Sequence, residues 1–214
     1  MREIRCADRD ALAPVEAAAV GATARAGGVI LFPTDTLYGL GVDPFSEVAL
    51  ASLFRLKGRE PDKPVPVLLA DASLIGRYAA AIPEPWRALI ERFWPGPLTL
   101  LFPAFPGLPP GIRSASGKVA LRVPGSALCR AVLRAAGGSL TGTSANTAGA
   151  GGTGDPATAL RGIGGDRRVG IDLFVNSGVL PPSQASTLLD INAAGDVITL
   201  RVGAVVEIGT GGYF

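Results

Sequence analysis

The chain has 214 residues, with 20 Lys+Arg against 18 Asp+Glu and a formal net charge of +2. Hydrophobic residues make up 48% and charged residues 18% of the chain, a balance that excludes a disordered protein and permits a sizeable core. The absence of histidine excludes a Ser-His-Asp triad, a Cys-His pair and a His-ligated zinc site.

Cysteine usage and the N-terminal sequence indicate the compartment. The only two cysteines, Cys6 and Cys129, have no CxxC spacing, which favours a reduced intracellular protein and excludes a thiolate zinc site. The first ten residues mix three arginines with three acidic residues, unlike a signal peptide. Apolar runs end well before the ~18 residues of a membrane span. We therefore expect a soluble cytoplasmic protein that does not contact membranes.

Short apolar runs bounded by glycine or proline predict strands along the chain. These runs are Val29–Phe32, Val65–Ala70, Leu98–Phe102, Val119–Val123, Ser139–Thr143, Asp172–Val175, Thr187–Ile191 and Val197–Arg201.

Four helices are predicted between these strands. Ser46 is placed to cap a helix that stops at Gly58, and Ser126 is placed to cap another. Apolar spacing predicts a helix over Trp86–Phe93, and Asp155-Pro156 has the pattern of an N-cap followed by proline.

Intermixed strands and helices predict an α/β fold, with an open, twisted mixed sheet and flanking helices in one domain over residues 1–214. The segments Pro103–Lys118 and Ala145–Gly154 are predicted to be long loops. Long loops within a compact domain are often functional.

The first polar motif is Phe32–Gly41, where an apolar strand runs into two threonines, an aspartate, a tyrosine and two glycines. Ligands of α/β proteins bind at strand ends. Thr34 and Thr36 are suited to hydrogen-bond a small polar ligand there. An ordinary polar turn after a strand explains the pattern equally well.

The second motif, Lys57–Pro64, places three cations within seven positions. Arginine forks and lysine point charges suit a polyphosphate. The alternative is a solvated helix C-terminus, where the helix dipole favours cations.

The third motif is the strand containing Lys118, Ala120 and Arg122, which share one face because strand side chains alternate. An anionic ligand would satisfy two cations on an apolar strand. A charged edge strand is the alternative.

The fourth motif begins with Thr141–Asn146 and continues through a glycine-rich loop to Asp155. Backbone N–H groups of such a loop are able to cradle phosphate. It is neither a Walker A sequence nor a dinucleotide-binding fingerprint. A flexible linker is the alternative.

The fifth motif, Ser186–Asp190 followed by Ile198–Arg201, reads on its own as a hairpin of two strands.

Taken in order from about Gly28 to Arg201, these five motifs resemble the YrdC/YciO-like family, whose enzymatic members are L-threonylcarbamoyladenylate synthases. The pairing of Lys57-Gly58-Arg59 with Ser144-Ala145-Asn146 matches the KxR…SxN signature of that family. The chain looks like the short form without the extra C-terminal domain of longer relatives.

The resemblance implies a fold with a large, positively lined cavity and a reaction that joins L-threonine, bicarbonate and ATP. Threonylcarbamoyl-AMP forms and pyrophosphate leaves, with Mg²⁺ accompanying ATP. A separate threonylcarbamoyl transferase complex then modifies an adenosine of tRNA.

By position, the resemblance also implies roles for individual residues. Lys57 and Arg59 are the expected catalytic residues. The expected threonine-binding residues are Thr36, Arg122, Gly142 and Ser186. The expected nucleotide-binding residues are Arg59, Lys63, Lys118, Ser144, Asn146, Gly152 and Arg201. No metal ligand is assigned. The loop Ala145–Gly154 is expected to help close the cavity over a labile carbamate intermediate.

Three places depart from the family pattern, one of them the turn Ser183-Gln184-Ala185 before Ser186, where a Gly-rich form is commoner. Leu68 stands where many members have a polar or histidine side chain, and Gly151-Gly152 stands where a hydroxyl is usual. A YciO-like protein that binds RNA or nucleotide, with weak or different activity, is the alternative function. Its basic surface would bind an RNA backbone as well as ATP. However, only 6% of the residues are aromatic, so few side chains are available for bases to stack on.

Overall fold

The computed structural model describes residues 1–6, 10–60, 63–146, 151–163 and 170–205 of the chain. Residues 147–150, in the loop predicted to close the cavity, lie outside this described part. Within these ranges, no helix is long and apolar enough to cross a membrane.

The described helices are α1 (Pro14–Arg25), α2 (Glu47–Lys57), α3 (Glu84–Phe93), α4 (Ala127–Ala135) and α5 (Pro156–Arg161), with a 3₁₀ helix over Ala72–Arg77. The predicted caps are confirmed. Ser46 Oγ accepts from the Ala49 N–H, Ser126 Oγ accepts from the Cys129 N–H, and the Asp155 carboxylate accepts from the Thr158 N–H. Gly58 ends α2 with φ of 59°, a left-handed conformation that favours glycine.

The strands form two mixed sheets. They are β1 (Arg2–Arg5), β2 (Ile30–Pro33), β3 (Tyr38–Gly41), β4 (Val67–Leu69), β5 (Leu98–Pro103), β6 (Lys118–Arg122), β7 (Ser139–Thr141), β8 (Thr143–Ser144), β9 (Leu173–Asn176), β10 (Thr187–Ile191) and β11 (Val197–Arg201). One sheet has the order β1-β9-β2-β3-β8, and the other has β11-β10-β5-β6-β4-β7. The mixed α/β class is confirmed, whereas the expectation of a single sheet is wrong.

The chain passes from one sheet to the other at Gly142. The strand predicted over Ser139–Thr143 divides there: β7 pairs with β4, and β8 pairs with β3. A side chain at this position would clash, because a Cβ on Gly142 would lie 2.5 Å from Leu68 Cγ. The glycine therefore lets the backbone turn between the sheets under Leu68.

Two buried apolar clusters hold the sheets and helices together. The smaller one includes Val20 of α1, Ile30 and Phe32 of β2, and Val132 and Leu133 of α4. Burial of large apolar side chains of this kind contributes roughly 1.5–3 kcal/mol each. The clusters leave a hollow where the two sheets meet, and this hollow is the candidate site.

Candidate functional site

A cavity of about 340 Å³ lies where the two sheets meet. Its walls come from β3 and β8 of one sheet and from β4, β5, β6, β10 and β11 of the other. The described residues that line it include the arginines Arg59, Arg122 and Arg201, the hydroxyl residues Thr34, Thr36, Thr99, Thr143, Ser144 and Ser186, and the leucines Leu37, Leu68, Leu101, Leu188 and Leu200. No described lining residue is acidic. The cavity therefore offers guanidinium groups and hydroxyls to a polar, anionic ligand.

The turn between β2 and β3 places Thr36 at the cavity. Thr34 Oγ1 donates to the Leu37 carbonyl at 2.7 Å and accepts from the backbone N–H groups of Thr36 and Leu37, both at 3.1 Å. Thr34 thus holds the turn together. Thr36 Oγ1 lies at the cavity wall, where it accepts from Arg122 Nη1 at 3.3 Å.

Arg122 is a buried arginine of β6 with 4% of its surface exposed. Its Nε donates to the Gly96 carbonyl at 3.0 Å, and its Nη2 forms an ion pair with Asp35. These contacts fix the plane of the guanidinium, and its Nη1 donates to Thr36 Oγ1 at the cavity wall. Sequence reasoning missed Asp35 as the partner of Arg122, although Asp35 stands between Thr34 and Thr36.

Ser186 and Arg201 form a second polar wall across β10 and β11. Arg201 donates through Nε to the Ser186 carbonyl and through Nη2 to Ser186 Oγ, both at 3.0 Å. Thr99 Oγ1 of β5 lies 2.8 Å from Ser186 Oγ. Partial burial, with the nearby charge of Arg122, lowers the pKa of Arg201. Thr99 is a lining hydroxyl that carried no sequence signal, because it looks like an ordinary strand residue.

Ser144 lines the cavity from β8, and Asn146 and Lys57 lie behind it. Ser144 Oγ donates to Asn146 Oδ1 at 2.6 Å. Lys57 Nζ donates to the carbonyls of Ser144 and Asn146 and to Asn146 Oδ1. Lys57 and Asn146 are themselves buried and are not among the lining residues.

Of the remaining predicted cations, Arg59 lines the cavity, whereas Lys63 and Lys118 do not. Arg59 lines the cavity, and its guanidinium donates to the carbonyls of Lys63 and Pro64 at 2.7 and 3.1 Å. Lys63 is exposed and is not among the lining residues. Lys118 shares a strand face with Ala120 and Arg122, but its Nζ is paired with Asp190 and the Ile191 carbonyl beyond the lining residues.

The two predicted glycines occupy tight positions. Gly142 lines the cavity beneath Leu68, as described above. Gly152 does not line it, and a Cβ there would lie 2.6 Å from Leu37 Cδ1 and 3.1 Å from Ser144 Cβ. Gly152 therefore packs behind two residues of the wall. Leu68 adds an apolar side chain to the cavity wall.

The described residues contain no group of three or more acidic or cysteine side chains able to hold a metal ion. The carboxylates of Asp35 and Asp190 are paired with Arg122 and Lys118 of β6. The described residues therefore do not form a protein-held magnesium centre.

The fold and the site define an α/β protein with a cavity between two mixed sheets, lined by arginine and hydroxyl groups. The Sua5–YciO–YrdC family model, described as "Telomere recombination", matches residues 22–203, and the chain belongs to this family.

Relatives agree with that membership. A threonylcarbamoyl-AMP synthase of Halorhodospira halophila is 37% identical over 57% of this chain and 64% of its own length. A Mycobacterium leprae protein, provisionally given the same name, is 35% identical over 94% of this chain and 88% of its own length. Thus the chain spans slightly less than two thirds of the first relative and most of the second.

Solved structures show the same fold. P. abyssi Sua5 complexed with L-threonine is 27% identical, with a TM-score of 0.83, and the match covers 94% of this chain and 57% of that one. E. coli YciO is 22% identical, with a TM-score of 0.79, and the match covers 94% of both chains. The YciO likeness concerns the fold alone.

Proposed function

We propose that this chain is a threonylcarbamoyl-AMP synthase that uses L-threonine, bicarbonate and ATP and releases pyrophosphate. The observation that carries the proposal is the convergence of five polar residues on one cavity: Thr36, Arg59, Arg122, Ser186 and Arg201. The first and last of them are 165 positions apart in the sequence (36 to 201). Membership of the family and the synthase names of the relatives support it.

The threonine subsite is proposed at the Arg122 wall. Arg122 would receive the threonine carboxylate, since a guanidinium recognises a planar carboxylate through paired donors. Thr36 and Ser186 supply hydroxyls on either side, and Gly142 leaves the space that a side chain would fill. The Sua5 structure with L-threonine supports a threonine subsite in this fold.

The nucleotide subsite is proposed along Arg59, Ser144 and Arg201. Asn146 and Gly152 support this wall from behind, as their contacts with Ser144 indicate. Lys63 and Lys118 are proposed to meet the phosphates only after their side chains move, because neither lines the cavity as it stands. Magnesium would enter with ATP as the counterion of the phosphates.

The proposed chemistry needs orientation and charge neutralisation. An oxygen of N-carboxythreonine attacks the α-phosphorus, the bond to the bridging oxygen breaks, and pyrophosphate leaves with the electron pair. Arginines beside the phosphates stabilise the developing negative charge, and the hydroxyls orient threonine. Catalysis of this kind requires no histidine or cysteine nucleophile. The product would pass to a transferase complex that modifies tRNA.

The proposal is tested by incubating purified protein with ATP, magnesium, bicarbonate and threonine, followed by mass spectrometry. We expect threonylcarbamoyl-AMP, with pyrophosphate release that requires both threonine and bicarbonate. An Arg201→Met variant should lose most of the product, whereas Arg134→Met, an exposed arginine of α4, should not. Tight RNA binding without any such product would contradict the proposal and favour the RNA-binding alternative.

A further inference from the structure

The Lys57 ammonium is buried behind the cavity wall instead of facing a ligand. Only 4% of the residue is exposed, and it is not among the lining residues. An ammonium has three N–H donors. Lys57 donates to the Asn146 carbonyl at 2.9 Å, to Asn146 Oδ1 at 3.3 Å and, at closest range, to the Ser144 carbonyl. All three donors therefore have acceptors within the protein.

These acceptors belong to one turn. The Asn146 N–H donates to the Ser144 carbonyl at 2.9 Å, and the Ala145 N–H donates to the Tyr38 carbonyl at 2.9 Å. Asn146 Oδ1 also accepts from Ser144 Oγ. The lysine thus joins the end of α2 to the residues immediately after β8. Three oxygen atoms would be left in the protein interior without this donor if the ammonium were removed.

We propose that Lys57 is a positioning residue: its ammonium holds the Ser144–Asn146 turn so that Ser144 presents its hydroxyl to the cavity, and it does not itself touch the substrates. This inference rests on the proposed function, because the reaction supplies one of its readouts. It changes the role expected of Lys57, which the family resemblance had suggested to be catalytic.

The charge of Lys57 gives the proposal a pH signature. Burial, with a smaller contribution from the positive charge of Arg59, lowers the pKa of Lys57 to about 8. Among the described residues, Arg59 is the charged group that acts on Lys57. The hydrogen-bond partners of Lys57, Ser144 and Asn146, are uncharged. Opening the turn to solvent would restore the ordinary pKa of 10.5, so opening takes up a proton between about pH 8 and 10.5 and becomes less favourable as pH rises.

The free energy of global unfolding should change with pH in the same direction. The ordinary pKa of 10.5 applies to the unfolded chain, so between about pH 8 and 10.5 the unfolded state binds more protons than the folded state. The Lys57 contribution therefore raises the free energy of unfolding as pH rises through this window. Lys57→Met should abolish both trends.

The first test compares Lys57→Met, Lys57→Arg and the control Arg55→Met, which removes an exposed cation from the same helix. In the product assay, we expect Lys57→Met to lower kcat roughly 10- to 100-fold, as expected for misplaced groups, with little change in threonine affinity. Lys57→Arg should recover part of the activity, because arginine stays charged and keeps donors for the turn. Arg55→Met should behave like the wild type.

The second test does not depend on catalysis or on a folded variant. Amide hydrogen exchange of Ala145 and Asn146 in the wild-type protein should gain protection between pH 8 and 10, after correction for the intrinsic rate, because opening the turn takes up a proton at Lys57. The Ala49 amide in the first turn of α2 serves as the control, and its protection should not change over this pH range. Unchanged protection at both residues would overturn the proposal. So would a Lys57→Met protein that loses activity but keeps wild-type protection, because Lys57 would then act on the substrates directly.

The two proposals fail in distinguishable ways. A wild-type protein that makes no threonylcarbamoyl-AMP contradicts the proposed function, while the exchange experiment still decides whether Lys57 holds the turn.

Discussion

The hydrogen-bond partners of Ser144 define what its hydroxyl offers to a ligand. A hydroxyl has one proton and two lone pairs. The Ser144 proton is donated to Asn146 Oδ1, so Ser144 Oγ faces the cavity as an acceptor. Its partner on a ligand must therefore be a donor, such as a ribose hydroxyl or an amino group, and not a phosphate oxygen.

We expect Ser144→Ala to raise the KM for ATP roughly 2- to 12-fold, the effect of one hydrogen bond. The increase in KM should be smaller for an ATP analogue that lacks the donor group bound by Ser144 Oγ. The analogues to compare are 2′-deoxy-ATP, 3′-deoxy-ATP and purine riboside triphosphate. Ser116→Ala changes an exposed serine and serves as the control. Equal losses for ATP and all three analogues would contradict an acceptor role.

Asp35 keeps the Arg122 guanidinium in place. The ion pair is largely buried, with side-chain exposures of 5% for Arg122 and 15% for Asp35. Removing one member of such a pair leaves a buried charge without compensation, which is more costly than losing an exposed pair.

Asp35→Asn should therefore lower the free energy of unfolding by about 1–3 kcal/mol, the cost of an unsatisfied buried group. It should also weaken threonine binding, because Arg122 is free to turn away from Thr36. Chemical denaturation and titration calorimetry measure the two effects. Asp196→Asn, in the exposed turn between β10 and β11, should change neither. Tighter threonine binding by Asp35→Asn would refute this positioning role.

At the scale of elements, the change of sheet between β7 and β8 depends on the contact of Gly142 with Leu68. Leu68 is buried at 4% exposure and belongs to β4, which pairs with β7. A Cβ on residue 142 would lie within 3.0 Å of three Leu68 carbon atoms. The leucine could give way only by moving into the cavity or into the core.

Gly142→Ala should accordingly destabilise the protein by about 1–3 kcal/mol, as overpacking does, and reduce threonine affinity. Leu68→Ala should destabilise it through a cavity, yet the double variant should lose less than the two single losses added together. Denaturant unfolding of all four proteins measures this coupling. Strictly additive losses would show that the two residues do not compete for the same space.

Elements whose signals are local were predictable from the sequence. The Ser46, Ser126 and Asp155 caps involve neighbours three residues away, and strands β10 and β11 match their predicted bounds. Strand β3 was missed because Tyr38–Gly41 contains two glycines, which strands disfavour.

Helix α1 was missed for a different reason. It buries small residues such as Ala19, Gly21 and Ala24 in place of a stripe of large apolar side chains. Gly21 lies so close to α4 that a Cβ would be 2.8 Å from the Ala135 carbonyl oxygen. Such a close approach between helices depends on the partner helix, which the local pattern does not reveal.

Partners of the candidate site residues were equally hard to predict. The pairing of Lys118 with Asp190 joins residues 72 positions apart, and that of Lys57 with Asn146 joins residues 89 apart. The motifs showed where polar residues cluster along the chain. They did not show that one lysine is held behind the cavity wall and another beyond it.

At the scale of the whole molecule, the cavity exists only when both sheets are in place. Ser144 and Thr36 belong to or adjoin the five-stranded sheet, whereas Arg122, Ser186 and Arg201 belong to or adjoin the six-stranded one. A ligand that bridges these walls should therefore stabilise both sheets together. Binding to the folded state alone adds about 2.7 kcal/mol at a ligand concentration 100 times Kd.

Saturating threonine and ATP together should consequently raise the Tm by roughly 5–11 °C for a chain of this size. Amide protection should increase in β8 and in β10 at the same time. Arg201→Met should reduce the shift caused by ATP more than that caused by threonine, whereas Arg134→Met should leave both unchanged. If protection rose in only one sheet, the ligands would occupy one wall, and the cavity between the sheets would not be the shared site.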